Sequence, residues 1–385
     1  MLNITALSPL GLYVHLPWCV RKCPYCDFNS HALRNDSLPE RDYVDALLRD
    51  LEPELPLIWG RQVDTVFIGG GTPSLFTPEA LDRLFSGLRA LLNLRPEIEI
   101  TLEANPGAVE RGRFAEYRAL GINRISIGVQ SFDAGCLERL GRIHGPEDAE
   151  RAAEAVIDAG FDDFNLDLMF GLPGQTPDMA QRDLERALVF DPPHLSWYQL
   201  TLEPNTLFAA RPPTLPDADT IASIHDAGIA RLAAAGLEQY EVSAFARPGR
   251  ECRHNLNYWQ FGDYLGIGAG AHGKLTLAAE ARILRRARHR HPEQFMRLAG
   301  THEAFTETTV AERDLPFEFM LNALRLRAGF AVPVFFERTG LPISQVQDTL
   351  TGAERDGLID WDITRIRPSD TGWRYLNDLL QRFLP

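Results

Sequence analysis

Cys19, Cys23 and Cys26 stand within eight residues in "YVHLPWCVRKCPYCDFNSH", a C-x3-C-x2-C spacing. Three thiolates on one short loop can hold three irons of a [4Fe–4S] cube and leave the fourth open to an exogenous chelator. The competing reading is a Cys3His zinc site completed by His15 or His31, although zinc loops favour paired C-x2-C arms separated by a longer spacer. The other two cysteines, Cys136 and Cys252, lie far apart, and an odd total of five gives no even disulfide framework. Met1 to Pro9 lacks the basic and apolar regions of a secretory signal, so a cytoplasmic, reducing setting is expected, where clustered cysteines point to metal before disulfide.

A second set of polar residues recurs at the ends of hydrophobic runs: Gly69-Gly70-Gly71-Thr72-Pro73, Glu103 with Asn105, Gln130, and Asp167. Successive glycines expose backbone N–H and C=O groups suited to gripping an amino-acid-like ligand. The two carboxylates are acceptors for ribose hydroxyls or an ammonium. A third stretch, "CRHNLNYWQFGDYLGIGAGAHG", sets His254-Asn255 beside Tyr258-Trp259. An imidazole can be an axial iron ligand, and neighbouring aromatic rings offer flat apolar area to a porphyrin. A lone His beside aromatics is more often a hydrogen-bonded core histidine, and Cys252 is a competing thiolate ligand.

The elements that must position these residues read as βα units. Strands are expected at Leu12–His15, Val63–Ile68, Ile98–Glu103, Arg124–Val129, Phe164–Met169 and Leu195–Leu202. Helices are expected at Pro39–Ile58, Pro78–Leu92, Pro146–Ala159, Pro177–Phe190 and Ala218–Ala235, with Thr77 and Thr176 as N-caps before proline. Six units fall short of the eight of a full barrel, so the fold class is α/β: a partial (β/α)6 TIM-like barrel with its loops, the cysteine loop among them, on the C-terminal face. Residues 246–308 read as a connecting segment between a barrel at 1–245 and a C-terminal α+β domain, winged-helix-like, at 309–385. The basic run Arg282–Arg290 reads as a solvated helix face, with haem propionates, an anionic partner or lipid headgroups as other uses. Composition supports a globular chain: 45% hydrophobic, 24% charged, no membrane-length apolar run, and a formal charge of −14 that disfavours nucleic acid.

The cysteine motif, together with "GVQSF" at Gly128–Phe132 and "GLPGQT" at Gly171–Thr176, resembles the radical S-adenosylmethionine superfamily. Within it the chain is similar to the branch of oxygen-independent coproporphyrinogen III oxidases and their haem-chaperone relatives. The resemblance implies that Cys19, Cys23 and Cys26 ligate a [4Fe–4S] cluster whose open iron is chelated by S-adenosylmethionine, cleaved on reduction to a 5′-deoxyadenosyl radical. Tyr13 and Tyr25 would line that cofactor, Gly70, Gly71 and Thr72 would bind its methionyl end, and Glu103, Gln130, Arg142 and Asp167 would complete the pocket. It also implies haem bound through His254, Asn255, Tyr258 and Trp259, with haem proteins as recipients, respiratory ones and a peripheral membrane contact included. Two departures separate the chain from the oxidases. Phe28 stands where they carry a further cysteine, and only 18 residues precede Cys19, where they resemble one another in a longer extension. The expected function is therefore haem chaperoning, with coproporphyrinogen III oxidation as the alternative; no catalytic residue is assigned.

Overall fold

The computed structural model describes residues 2–33, 38–107 and 113–385. All six expected strands form and lie side by side in chain order, each parallel to the next: β1 (Leu10–Leu16), β2 (Gln62–Gly70), β3 (Asn93–Ala104), β4 (Arg124–Gln130), β5 (Phe164–Phe170) and β6 (His194–Gln199). Because side chains alternate across a strand, one face is aliphatic (Leu12, Val14, Val66, Ile68, Ile125, Leu166). It forms one core with helices α1 (Glu40–Leu51), α2 (Pro78–Leu91), α3 (Pro146–Asp158) and α4 (Pro177–Leu188). The opposite face carries Thr65, Thr101, Ser126, Asn165, Asp167 and His194, a polar interior in which the last four hydrogen-bond to one another.

Thr77 and Thr176 cap their helices, the hydroxyl oxygens accepting from the backbone N–H of Ala80 and Met179. The helix expected over Pro39–Ile58 is shorter. It ends at Leu51 and continues as a 3₁₀ turn over Glu52–Ile58, since Pro53 and Pro56 remove the donors an α-helix needs.

The sheet stays open and is wider than expected. Beyond β6, β7 (Glu238–Glu241) and β8 (Ala244–Ala246) add antiparallel edges. On the other side β9 (Asp263–Ile267) runs parallel to β1, followed by antiparallel β10 (His272–Leu277), β11 (Arg282–Arg288) and β12 (Phe305–Thr309), for twelve strands in all. Residues 246–308, read from sequence as connection, thus hold a seventh parallel strand and three more. Most of the basic run, Arg282–Arg288, is a strand and not a helix face, and the arginines of that strand are paired: Arg282 with Glu280 and Glu307, Arg285 with Glu318, Arg286 with Glu54 and Glu307, and the buried Arg288 with Asp50 and Glu54. Charges neutralised in this way make a poor lipid-binding face. Among the described residues no helix is long and apolar enough to cross a membrane.

The C-terminal part has the helices and strands of a winged-helix domain: α7 (Leu315–Ala323), α8 (Val332–Thr339) and α9 (Gln347–Arg355) against a three-stranded antiparallel sheet. Its strands are β13 (Phe330–Ala331), β14 (Ile359–Trp361) and β15 (Arg365–Pro368), with β15 central. Further helices outside this domain include α5 (Ala218–Ala234) and α6 (Arg253–Trp259). The core of this domain takes in Phe261 and Ile283 from the sheet extension, and the Phe261 and Phe319 rings meet at 5.7 Å.

Candidate functional site

β1 ends at Leu16, and the cysteine loop follows at the C-terminal face of the sheet. Cys19, Cys23, Cys26 and Tyr25 line one cavity with Gly70, Gly71 and Thr72 at the end of β2, Glu103 and Asn105 at the end of β3, Gln130 at the end of β4, Arg142, and Asp167 on β5. Residues more than 140 positions apart are gathered because parallel strands all end on the same side. Tyr13 is the exception: its side chain lines a neighbouring cavity, stacked 6.3 Å from Phe67 and bonded through its hydroxyl to His15 Nδ1 at 3.0 Å.

A polar group stands near each sulfur. Thr72 Oγ1 donates toward Cys19 Sγ at 3.5 Å, Arg142 Nη1 lies 3.7 Å from Cys23 Sγ, and Ser30 Oγ lies 3.5 Å from Cys26 Sγ. Arg142 Nη2 also donates to Asn105 Oδ1 (2.6 Å) and the Gly128 carbonyl (2.7 Å), while Asn105 Nδ2 donates to Thr72 Oγ1 (2.7 Å). One continuous chain of bonds therefore links Cys23 to Cys19. Gly71 is required here by space alone, since a Cβ would sit 2.5 Å from the Trp18 carbonyl oxygen.

The donor set fits a cube better than a single ion. Among the described residues no three His, Cys, Asp or Glu side chains converge on an ion-sized point, whereas each iron of a cube takes its own sulfur. Neither zinc-completing histidine is poised to help. His15 is buried with both ring nitrogens engaged, to Tyr13 and the Asn29 carbonyl, and His31 turns its Nε2 to the Arg290 carbonyl. The half-buried Arg142 guanidinium, whose buried Nε lacks a partner among the described residues, adds positive charge beside the thiolates.

Across the cavity, Glu103 Oε2 accepts from the Gly70 N–H at 3.0 Å, and Asp167 accepts from Asn165 Nδ2 (2.7 Å) and Ser126 Oγ (3.2 Å). Burial, reinforced by the charge of Asp167, pushes the Glu103 carboxyl up to about 7. Burial also raises Asp167, against its hydrogen bonds. Two half-buried carboxyls facing one cavity suit a ligand bringing positive charge and hydroxyls, as a sulfonium, an ammonium and a ribose would. Gln130 adopts φ 69°, a left-handed conformation for a non-glycine residue, and its side chain accepts from Tyr198 O–H at 2.9 Å. Sequence reasoning missed Tyr198 and Ser30. Tyr198 was findable as the inward position two residues beyond Ser196 on β6; nothing marked Ser30.

The H-N-x-x-Y-W stretch divides. His254, 1% exposed, lies inside the barrel with Nδ1 2.7 Å from Thr65 Oγ1, Nε2 3.0 Å from Tyr258 O–H, and its ring 5.2 Å from Phe67. Burial lowers its pKa to about 3. Cys252 is likewise buried, its thiol toward Glu99 and pushed up to about 12 by burial. Glu99 also accepts from the N–H groups of Arg253 and His254, fixing the start of α6. Both ring nitrogens of His254, the expected axial ligand, are thus engaged within the protein. Asn255 makes no side-chain hydrogen bond among the described residues and lines neither cavity. Tyr258 and Trp259 do line a cavity of about 410 Å³ between β1, β9, β10 and α7, with Tyr13, Tyr264 and Phe261.

Residues 13–187 match the Radical SAM superfamily and residues 310–375 match the HemN C-terminal domain. The chain is 51% identical over 383 residues to the heme chaperone HemW of Escherichia coli (strain K12), covering 98% of this chain and 99% of that one. It is 47% identical to the heme chaperone HemW of Haemophilus influenzae, with 98% of each chain covered. The HemW of Mycobacterium tuberculosis (strain ATCC 25618 / H37Rv) is 36% identical, with 98% and 95% covered. The fold is also similar to coproporphyrinogen III oxidase (HemN) from Escherichia coli, with a TM-score of 0.82 at 24% identity over 98% of this chain and 90% of that one. Its cysteine-lined barrel mouth, its HemN-type C-terminal domain and its end-to-end identity with those relatives agree: the chain belongs to the heme chaperone HemW family of the radical SAM superfamily.

Proposed function

We propose that the chain binds haem and delivers it to haem proteins, with Cys19, Cys23 and Cys26 holding a [4Fe–4S] cluster and the cavity of Glu103, Gln130, Arg142 and Asp167 holding S-adenosylmethionine. The observation that carries the reading is the second, aromatic cavity: it is built by Tyr258 and Trp259 of the same motif and opens beside the cysteine-lined one rather than within it. Relatives that bear the name heme chaperone align over almost the whole chain, which supports the same reading. Phe28, 65% exposed at the mouth of the cysteine cavity, offers an apolar ring where the oxidases carry a thiol. Bound at the cluster, S-adenosylmethionine supplies reductive cleavage of a sulfonium; the residues of this chain bind and orient it. A cytoplasmic, reducing location suits the cluster, and apo-haem proteins of the respiratory apparatus are recipients consistent with it.

Delivery is tested by mixing haem-loaded protein with a soluble apo-globin and following the acceptor's Soret band. Direct hand-over predicts a rate that rises with acceptor concentration. A rate independent of acceptor, the behaviour of haem that first dissociates into solvent, overturns the proposal.

The carboxyl pair makes S-adenosylmethionine binding depend on pH. A cationic ligand favours ionised Glu103, so below about 7 binding must expel a proton. Affinity should fall by up to about tenfold per pH unit as pH drops from 7 to 6 and level off above 8, as measured by calorimetry. Glu103→Gln should weaken binding and flatten the profile. A flat profile in the parent protein would remove Glu103 from the ligand's surroundings.

A further inference from the structure

Three histidines lie in or beside the aromatic cavity, and two are unavailable to a ligand. His15 and His254 are buried and use both ring nitrogens internally. His272, the first residue of β10, is exposed, lines the cavity, and makes no side-chain hydrogen bond among the described residues. Partial burial, and after it the charges of Arg285, Arg290 and Arg288, oppose protonation of its ring, which favours the neutral form with one ring nitrogen open to a metal.

The walls fit a flat aromatic guest. Tyr258 and Tyr264 meet edge to face at 4.5 Å, and Trp259 lies under the Arg325 guanidinium at 4.3 Å. The buried Trp259 Nε1–H has no acceptor, a donor left for something the cavity receives. A volume of about 410 Å³ is within the range of about 300–1,000 Å³ typical of cofactor sites. The cavity also touches the cysteine loop, because Asn29 Nδ2 donates to the carbonyls of Ala269 (2.9 Å) and Arg290 (2.8 Å), which flank the turn into β10 and the end of β11.

We propose that His272 is the imidazole that takes the haem iron in this cavity, and that His254 acts only by holding Tyr258 in the wall. This rests on the reading of the chain as a haem carrier.

The test titrates ferric haem into the full-length protein and into His272→Ala, His272→Cys and His254→Gln, following the Soret band and the affinity. His272→Ala should bind at least about tenfold more weakly, with added free imidazole restoring the parent spectrum. His272→Cys should convert the spectrum to that of thiolate-ligated haem, an outcome no folding defect produces. His254→Gln should keep the imidazole-type spectrum. The proposal is overturned if His272→Ala binds haem with the parent's spectrum and affinity, or if the imidazole signature disappears in His254→Gln and persists in His272→Ala. Failure of the parent protein itself to bind haem would instead overturn the carrier reading.

Discussion

Anaerobically reconstituted protein carrying Cys19→Ser, Cys23→Ser or Cys26→Ser is expected to lose iron and acid-labile sulfide to background, with the broad charge-transfer absorbance of the cluster. Each sulfur serves one iron and three leave the fourth open, so no redundant ligand exists to replace a lost one. The surroundings make the loss sharper. Thr72, Ser30 and Arg142 stand near these particular sulfurs, and a serine hydroxyl is a harder ligand, poorly matched to the cluster. Cys136→Ser and Cys252→Ser should keep full iron content, because the first lies in a separate core cluster beside Arg139 and the second faces Glu99 inside the barrel. Stoichiometric zinc without sulfide in the parent protein would contradict the assignment.

The second large effect is on stability. Asp263, fully buried at the head of β9, receives Lys274 Nζ at 3.1 Å, Arg61 Nη1 at 2.9 Å, and both the N–H (2.9 Å) and the hydroxyl (2.8 Å) of Thr276. Lys274 is itself 1% exposed and also donates to the Phe261 and Gly262 carbonyls. Removing the carboxylate strands two buried cations, which costs about 3–5 kcal/mol when a buried pair is broken on one side. Asp263→Ala should therefore shift the urea midpoint strongly downward, with much of the loss recovered by an added Lys274→Met, which removes one stranded charge. A midpoint within error of the parent would mean that this ionic knot does not hold the sheet extension to β1.

Most of the barrel was legible in sequence because its strands are runs of aliphatic residues separated by helices with recognisable starts, as at Thr77-Pro78 and Thr176-Pro177. The cysteine loop and the strand-end residues were legible because their chemistry is local to short motifs. The sheet extension was not. β9 carries Gly266, where a Cβ would sit 1.8 Å from the His272 carbonyl oxygen, so the need to pass a neighbouring backbone replaces a readable pattern. β11 buries or half-buries its arginines against Asp50, Glu54 and Glu318, acids brought from distant elements, and a buried ion pair looks in sequence like a solvated charge. The surroundings of His254 are hidden from the sequence for a related reason. Spacing reports that a histidine stands beside aromatics, but the side of α6 that faces the barrel is decided by Thr65 and Phe67, nearly 190 residues away.

Cargo carrier and porphyrin oxidase share this fold, so the decisive measurement is turnover. Reduced, cluster-loaded protein is incubated anaerobically with S-adenosylmethionine and coproporphyrinogen III, and decarboxylated products are quantified beside a Cys23→Ser control, while a parallel sample is titrated with haem. Saturable haem binding with no decarboxylated product above the control is the result predicted for a haem carrier. Accumulation of protoporphyrinogen IX above that control would contradict it.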